Sequence, residues 1–134
     1  MTADEFSERL WRFAARVGKV VDGLPDTRLG RHVAGQLVRC GTASGPNYDE
    51  ACAAESRADF AHKLSIVLKE LKETRGWLRF IPMAELLAAS RIAGVADECG
   101  ELVRLVGKSV SIARTRIRRT DPMNNAKCSM SNVK

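Results

Sequence analysis

Aromatic side chains are scarce in this 134-residue chain: four Phe, two Trp and one Tyr make up 5% of it. Histidine occurs only as His32 and His62, which leaves little material for an imidazole metal centre. No apolar run approaches the roughly 20 residues a membrane-spanning helix needs, so no membrane partner is expected. The four cysteines, Cys40, Cys52, Cys99 and Cys128, stand singly without a CxxC pair. That spacing argues against a disulfide framework or zinc ribbon and suits reduced thiols in a cytoplasmic protein. The start, MTADEFSERL, opens on acids and lacks the basic-then-apolar pattern of a signal peptide. Strand alternation is absent throughout.

Apolar residues, by contrast, are plentiful. At 45% hydrophobic the chain buries a real core, and its length suits one domain. The formal net charge of +6 is unevenly placed. Residues 103–134 hold eight Lys or Arg and a single acid, Asp121, while residues 1–102 hold 14 bases and 15 acids. A near-neutral body therefore carries a basic end.

Four stretches show helical periodicity. Phe6, Leu10, Phe13, Val17, Val20 and Leu24 are spaced in alternating fours and threes, the seam of a helix packing at a shallow angle on its neighbours. Thr2 and Glu5 form a capping box ahead of it, and Gly23-Leu24-Pro25 ends it, with Gly23 suited to a left-handed cap. A second stretch begins near Asp26 or Thr27 and uses Leu29, Val33, Leu37 and Cys40. It then meets Gly41-Thr42-Ala43-Ser44-Gly45-Pro46-Asn47, which reads either as a break or as a kink before Tyr48, Ala51 and Cys52 resume the face. The third opens on Ser56 and Asp59 and runs through Phe60, Leu64, Val67, Leu71, Thr74, Leu78 and Ile81 to Pro82. Its outer face offers the pairs Asp59–Lys63 and Lys69–Glu73. The fourth starts around Ser90, uses Val95, Cys99, Leu102, Val106, Val110, Ala113 and Ile117, and fades at Thr120-Asp121-Pro122. The expected fold class is all-α: an antiparallel up-down-up-down four-helix bundle over residues 1–120, with a disordered tail at 121–134. Trp11, Ala14, Gly18 and Val21 widen the first apolar stripe, and Trp77 widens the third. Such surplus surface predicts a homo-oligomer using these residues.

The block from Arg39 to Leu78 resembles a known family. Arg39-Cys40-Gly41-Thr42, Gly45 and Asn47-Tyr48-Asp49-Glu50-Ala51 are similar to the RSGTSxGANYxEA signature of the four-helix-bundle proteins encoded in 23S ribosomal RNA intervening sequences. Ser56 to Phe60, Lys63-Leu64, Ile66, Leu68-Lys69-Glu70, Glu73-Thr74 and Trp77-Leu78 follow its next helix. Glu101-Leu102 and Lys108-Ser109 resemble its last one. The likeness spans residues 5–118. Ala43, Ser44, Pro46 and Gly76 depart from the usual serine, aliphatic residue, alanine and tyrosine. The resemblance implies a kinked rather than broken second helix and a homo-oligomeric ring, most simply a pentamer. It also implies kinship with accessory factors of diversity-generating retroelements, and hence RNA or an RNA-processing or reverse-transcriptase partner.

Catalytic constellations are weak. A di-metal bundle site needs inward glutamates and paired ExxH motifs, and only Asp59-Phe60-Ala61-His62 approximates one half. The serines lack a GxSxG elbow, and the glycines at 41 and 45 precede no GK[ST]. Neither a catalytic activity nor a cofactor or metal is expected. Asn47 and Glu50, one turn apart among small residues, are expected to form a polar lock with Arg39, Lys63 or Lys69. Arg104, Lys108, Arg114, Arg116, Arg118 and Arg119 supply the candidate nucleic-acid surface, since phosphate contacts release counterions and give sequence-independent affinity. A protein–protein scaffold with no nucleic-acid binding explains the same residues as a solubilising end. No aromatic residue follows Phe80, so the base-stacking platforms of single-strand readers are expected to be missing at this basic end.

Overall fold

The computed structural model describes residues 1–120; the expected tail at 121–134 lies outside them. The described chain is all-helical: α1 (Ala3–Gly23), α2 (Arg28–Gly41), α3 (Ser44–Cys52), α4 (Arg57–Met83) and α5 (Ala89–Thr120). Only Thr42 and Ala43 separate α2 from α3, so the two form one kinked rod and the fold has four helical members. Proline explains where the kink falls. Pro46 has no N–H to give the carbonyl four residues earlier, that of Thr42, and the ladder is interrupted there. The chain stays close to helical across the gap. Ala43 sits at φ −86°, ψ −23°, and Asn47 N–H still bonds the Ala43 carbonyl at 3.2 Å.

Three hydroxyls cap the helices as their spacing predicts. Thr2 accepts from Glu5 N–H at 3.1 Å, Thr27 from Gly30 N–H at 3.0 Å, and Ser56 from Asp59 N–H at 3.0 Å. Removing one such oxygen costs about 1 kcal/mol. The end of α1 differs from expectation: Gly23 is an ordinary last helical residue, and no described glycine has a positive φ. Leu24 turns the chain instead, at φ −70°, ψ 146°, because the Pro25 ring pushes its predecessor out of the helical region.

α1 packs on α2, α3 and α5, and α4 packs on the same three, so α1 and α4 occupy opposite corners. The core takes one side of each seam: Leu10, Phe13 and Val17; Val33 and Leu37; Leu64, Val67, Leu71, Leu78 and Ile81; Cys99, Leu102, Val106 and Val110. Thr74 lies fully buried among them and is satisfied by donating to the Glu70 carbonyl at 2.8 Å. Two seam assignments fail. Leu29 is 42% exposed because Gly30 takes the inward position against Pro25, and Cys52 is exposed at the end of α3.

The run of small residues at the kink has a packing cause. A Cβ on Gly41 would lie 2.4 Å from Val17 Cγ1, and one on Gly45 would lie 2.9 Å from the Trp11 ring. α1 approaches this rod too closely for any side chain there. Ser44 is also fully buried, and its Oγ has no hydrogen-bond partner among the described residues.

Candidate nucleic-acid interface

α5 is the longest helix, 32 residues or about 48 Å at 1.5 Å per residue. Its seam buries one face and turns Arg104, Lys108, Arg114, Arg116, Arg118 and Arg119 outward, all six exposed. Ala113 and Arg116 stand opposite Arg57, the first residue of α4, so the end of α5 runs on past its neighbour. The intervening hydroxyls are occupied locally: Thr115 donates to the Ser111 carbonyl at 2.9 Å and Ser109 to the Leu105 carbonyl at 3.1 Å. The six bases therefore form the chemistry of this surface.

A second row of cations runs along α1. Arg9, Arg12, Arg16 and Lys19 recur at the 3, 4, 3 spacing of one helix face. Its first two members are tied down. Arg9 grips Glu98 with Nε at 2.9 Å and Nη2 at 2.8 Å and reaches Glu101 at 3.0 Å, while Arg12 pairs with Glu8 at 2.9 Å. The fork holds the Glu98 carboxyl below its usual range through its hydrogen bonds, against the opposing effect of burial. The last two members, Arg16 and Lys19, join Arg91 of α5 along a groove of about 410 Å³ and have no ion pair among the described residues. Arg16 fits there because Gly94 has no side chain; a Cβ would meet its Nη2 at 3.1 Å. Counting charge by segment hides this row, since the acids of α1 cancel it in the sum. Helical spacing of the bases alone would have found it.

The fold also brings aromatic rings to α5 that its own sequence lacks. Phe6, Tyr48 and Phe60 line a cleft together with Leu105, Lys108 and Ile112. Phe6 and Tyr48 meet edge-on with centroids 5.1 Å apart. The Tyr48 hydroxyl is pushed up to about 12, mainly by burial and further by its contact with Cys52, so it stays protonated at neutral pH.

These helices have relatives. A family model described as 23S rRNA-intervening sequence protein matches residues 5–108. The chain belongs to that family. A crystal structure at 1.70 Å of a protein with unknown function from the S23 ribosomal protein family, from Bacteroides thetaiotaomicron, superposes with a TM-score of 0.72 at 30% identity; the match covers 78% of this chain and 96% of that one. No curated protein matches the chain. The family match takes in Arg104 and Lys108 and stops short of the arginines at 114, 116, 118 and 119.

Within this family member the Asn47–Glu50 lock does not bridge helices. Asn47 Nδ2 donates to the Ala43 carbonyl of its own rod at 2.8 Å, and Glu50 is exposed. Two of the three residues expected to meet them are engaged elsewhere: Lys63 with Asp59 at 3.1 Å, and Arg39 with Glu70 at 3.4 Å and with Glu73. Glu73 thus pairs across to α2 rather than with Lys69 along α4. Asparagine returns to its own backbone here because the kink leaves the Ala43 carbonyl within reach. The surplus apolar stripe is also largely used inside the chain. Ala14 is 7% exposed, Val21 and Gly18 are half-buried, and Trp77 meets His32 and Phe80 edge-on at 5.9 and 5.7 Å. Trp11 is 47% exposed, yet its indole N–H donates to Asp49 at 3.0 Å. The two histidines, His32 and His62, are exposed on different helices.

Proposed function

We propose that this member of the 23S rRNA-intervening sequence family is a non-catalytic, RNA-associated accessory protein that acts as a homo-oligomer. The observation that carries the reading is the outward display of Arg104, Lys108, Arg114, Arg116, Arg118 and Arg119 on one rigid helix. The helix has already ordered the backbone that carries each base, and release of condensed counterions supplies the affinity. The groove cations Arg16, Lys19 and Arg91 lend a second anionic contact along the same α1–α5 pair. The sequential packing of the helices supports an up-down-up-down arrangement. A closed ring, five copies being the form the family resemblance implies, would bring several basic ends together and strengthen their common field.

A scaffold that docks another protein and binds no RNA draws on a different observation. Leu29 and Val38 of α2 are 42% and 41% exposed, well away from the basic end of α5. One titration separates the two. Binding of a single-stranded RNA through six phosphate contacts makes log K fall against log salt with a slope near −4, from about −0.7 per contact. A slope near zero, or no binding at low salt, refutes the RNA reading. Sedimentation of the purified chain tests assembly: the proposal requires a species several times the 14.7 kDa protomer.

A further inference from the structure

The end of the bundle where α1 begins holds an open cleft of about 370 Å³. Four rods contribute to it: Phe6 from α1, Tyr48 from α3, Phe60 and Leu64 from α4, and Ile112 from α5. Ile112 is 44% exposed and Phe60 half-buried, so the apolar wall faces solvent. The volume lies at the small end of the 300–1,000 Å³ range typical of sites for compact organic groups.

Charge next to the wall says what kind of group fits. Lys108 lines the cleft itself. On the other side of the Phe60 side chain, Arg57 and Arg116 border a second depression of about 240 Å³. A matching partner is flat and apolar in one part and anionic in the next, with the change falling across a single aromatic ring. Unpaired nucleic acid repeats that alternation at every nucleotide. A duplex does not, because its bases are stacked and closed to an end-on cleft. A second copy meeting this face with its own would set Lys108 against its like, which disfavours that pairing.

We propose that this cleft seats an unpaired base of single-stranded RNA against the Phe60–Tyr48 wall, with the flanking phosphates held by Lys108 and Arg57. The proposal rests on the RNA association argued above and narrows it to unpaired strands. Ser109, also on the lining, keeps acceptor capacity on its hydroxyl oxygen for the edge of a base. The aromatic platform absent from the fourth helical stretch is thus supplied by its neighbours.

The test compares three probes on the full chain by fluorescence anisotropy at low salt. They are a single-stranded RNA of about ten nucleotides, within the span of known single-strand sites, its duplex, and an abasic strand of equal length and charge. The single strand is expected to bind about 5- to 150-fold more tightly than the abasic strand, the worth of one stacked base. Two variants, Phe60→Leu and the solvent-exposed Ile112→Ser, should remove most of that preference and leave abasic binding unchanged. Helical circular dichroism checks that both are folded. Equal affinity for the abasic strand or the duplex overturns the base-seating cleft while the RNA reading survives. Binding of no oligonucleotide overturns both. Ile112→Ser changing the sedimentation of the protein without touching the base preference assigns the cleft to a second copy, and likewise overturns the proposal.

Discussion

Arginines of two kinds occupy this bundle. Arg9 and Arg39 each bridge two helices and hold two carboxylates apiece: Glu98 and Glu101 for the first, Glu70 and Glu73 for the second. Arg104, Arg114, Arg118 and Arg119, with Lys108, project from α5 and form no ion pair among the described residues. The same side chain serves as a rivet where a carboxylate faces it across a helix interface and as an open hand where none does. Net charge is a poor guide to which role applies. The neutral body holds the paired set, and those five bases of α5, with Arg16, Lys19 and Arg91 in their groove, are available to a polyanion.

Changing the unpaired set should produce the larger effect on binding. Replacing Arg104, Arg114, Arg118 and Arg119 together by Gln is expected to weaken RNA affinity at least a hundredfold near 0.1 M salt. The salt slope should shrink by about 0.7 for each lost contact. Because these side chains are exposed, each substitution should leave stability within about 0.5 kcal/mol, as a urea melt will show. Unchanged affinity would dissolve the distinction between the two sets.

The paired set should behave in the opposite sense. Glu98→Gln breaks a two-pronged bridge between α1 and α5 and should cost about 1–2 kcal/mol after allowing for solvent screening at this partly exposed site, with the RNA salt slope untouched. The loss must depend on pH in one direction. The folded protein holds the Glu98 carboxyl below its usual value, near 4.3 when unperturbed. Its contribution is therefore complete above about pH 5 and disappears as the pH falls through the lowered folded value. Melting curves of the two proteins should converge in acid. The smallest effect belongs to Arg12→Gln, whose partner Glu8 is one turn away and mostly solvated. A shift beyond about 0.5 kcal/mol in thermal melting would mean that exposure misjudges which pairs matter.

Periodicity reveals which face of a helix is inward, and this much was legible. The seam residues from Leu64 to Ile81 are buried without exception, and three caps fall where a hydroxyl precedes an apolar run. It does not reveal which neighbour an inward or lateral residue meets, because that depends on the register between helices distant in sequence. Glu73 has Lys69 one turn back and reaches Arg39 instead. Asn47 was expected to cross to another rod, but a kink made by Pro46 placed a carbonyl of its own backbone closer. The same limit hid the candidate site. Phe60 and Ile112 are 52 positions apart in the chain and share one cleft. The basic row on α1 is a different case: its spacing was visible throughout, and summing charge over segments erased it.

The two indoles of the bundle, at Trp11 and Trp77, have unlike surroundings. Trp11 lies across Gly45, half in solvent and bonded to the Asp49 carboxylate, at the contact between α1 and α3. Trp77 is flanked by His32 and Phe80, where α4 meets α2. The bundle thus has two optical reporters of separate helix contacts. A soluble quencher reaches the first more readily than the second, so dye-free emission can follow the docking of the kinked rod from either side as the chain folds.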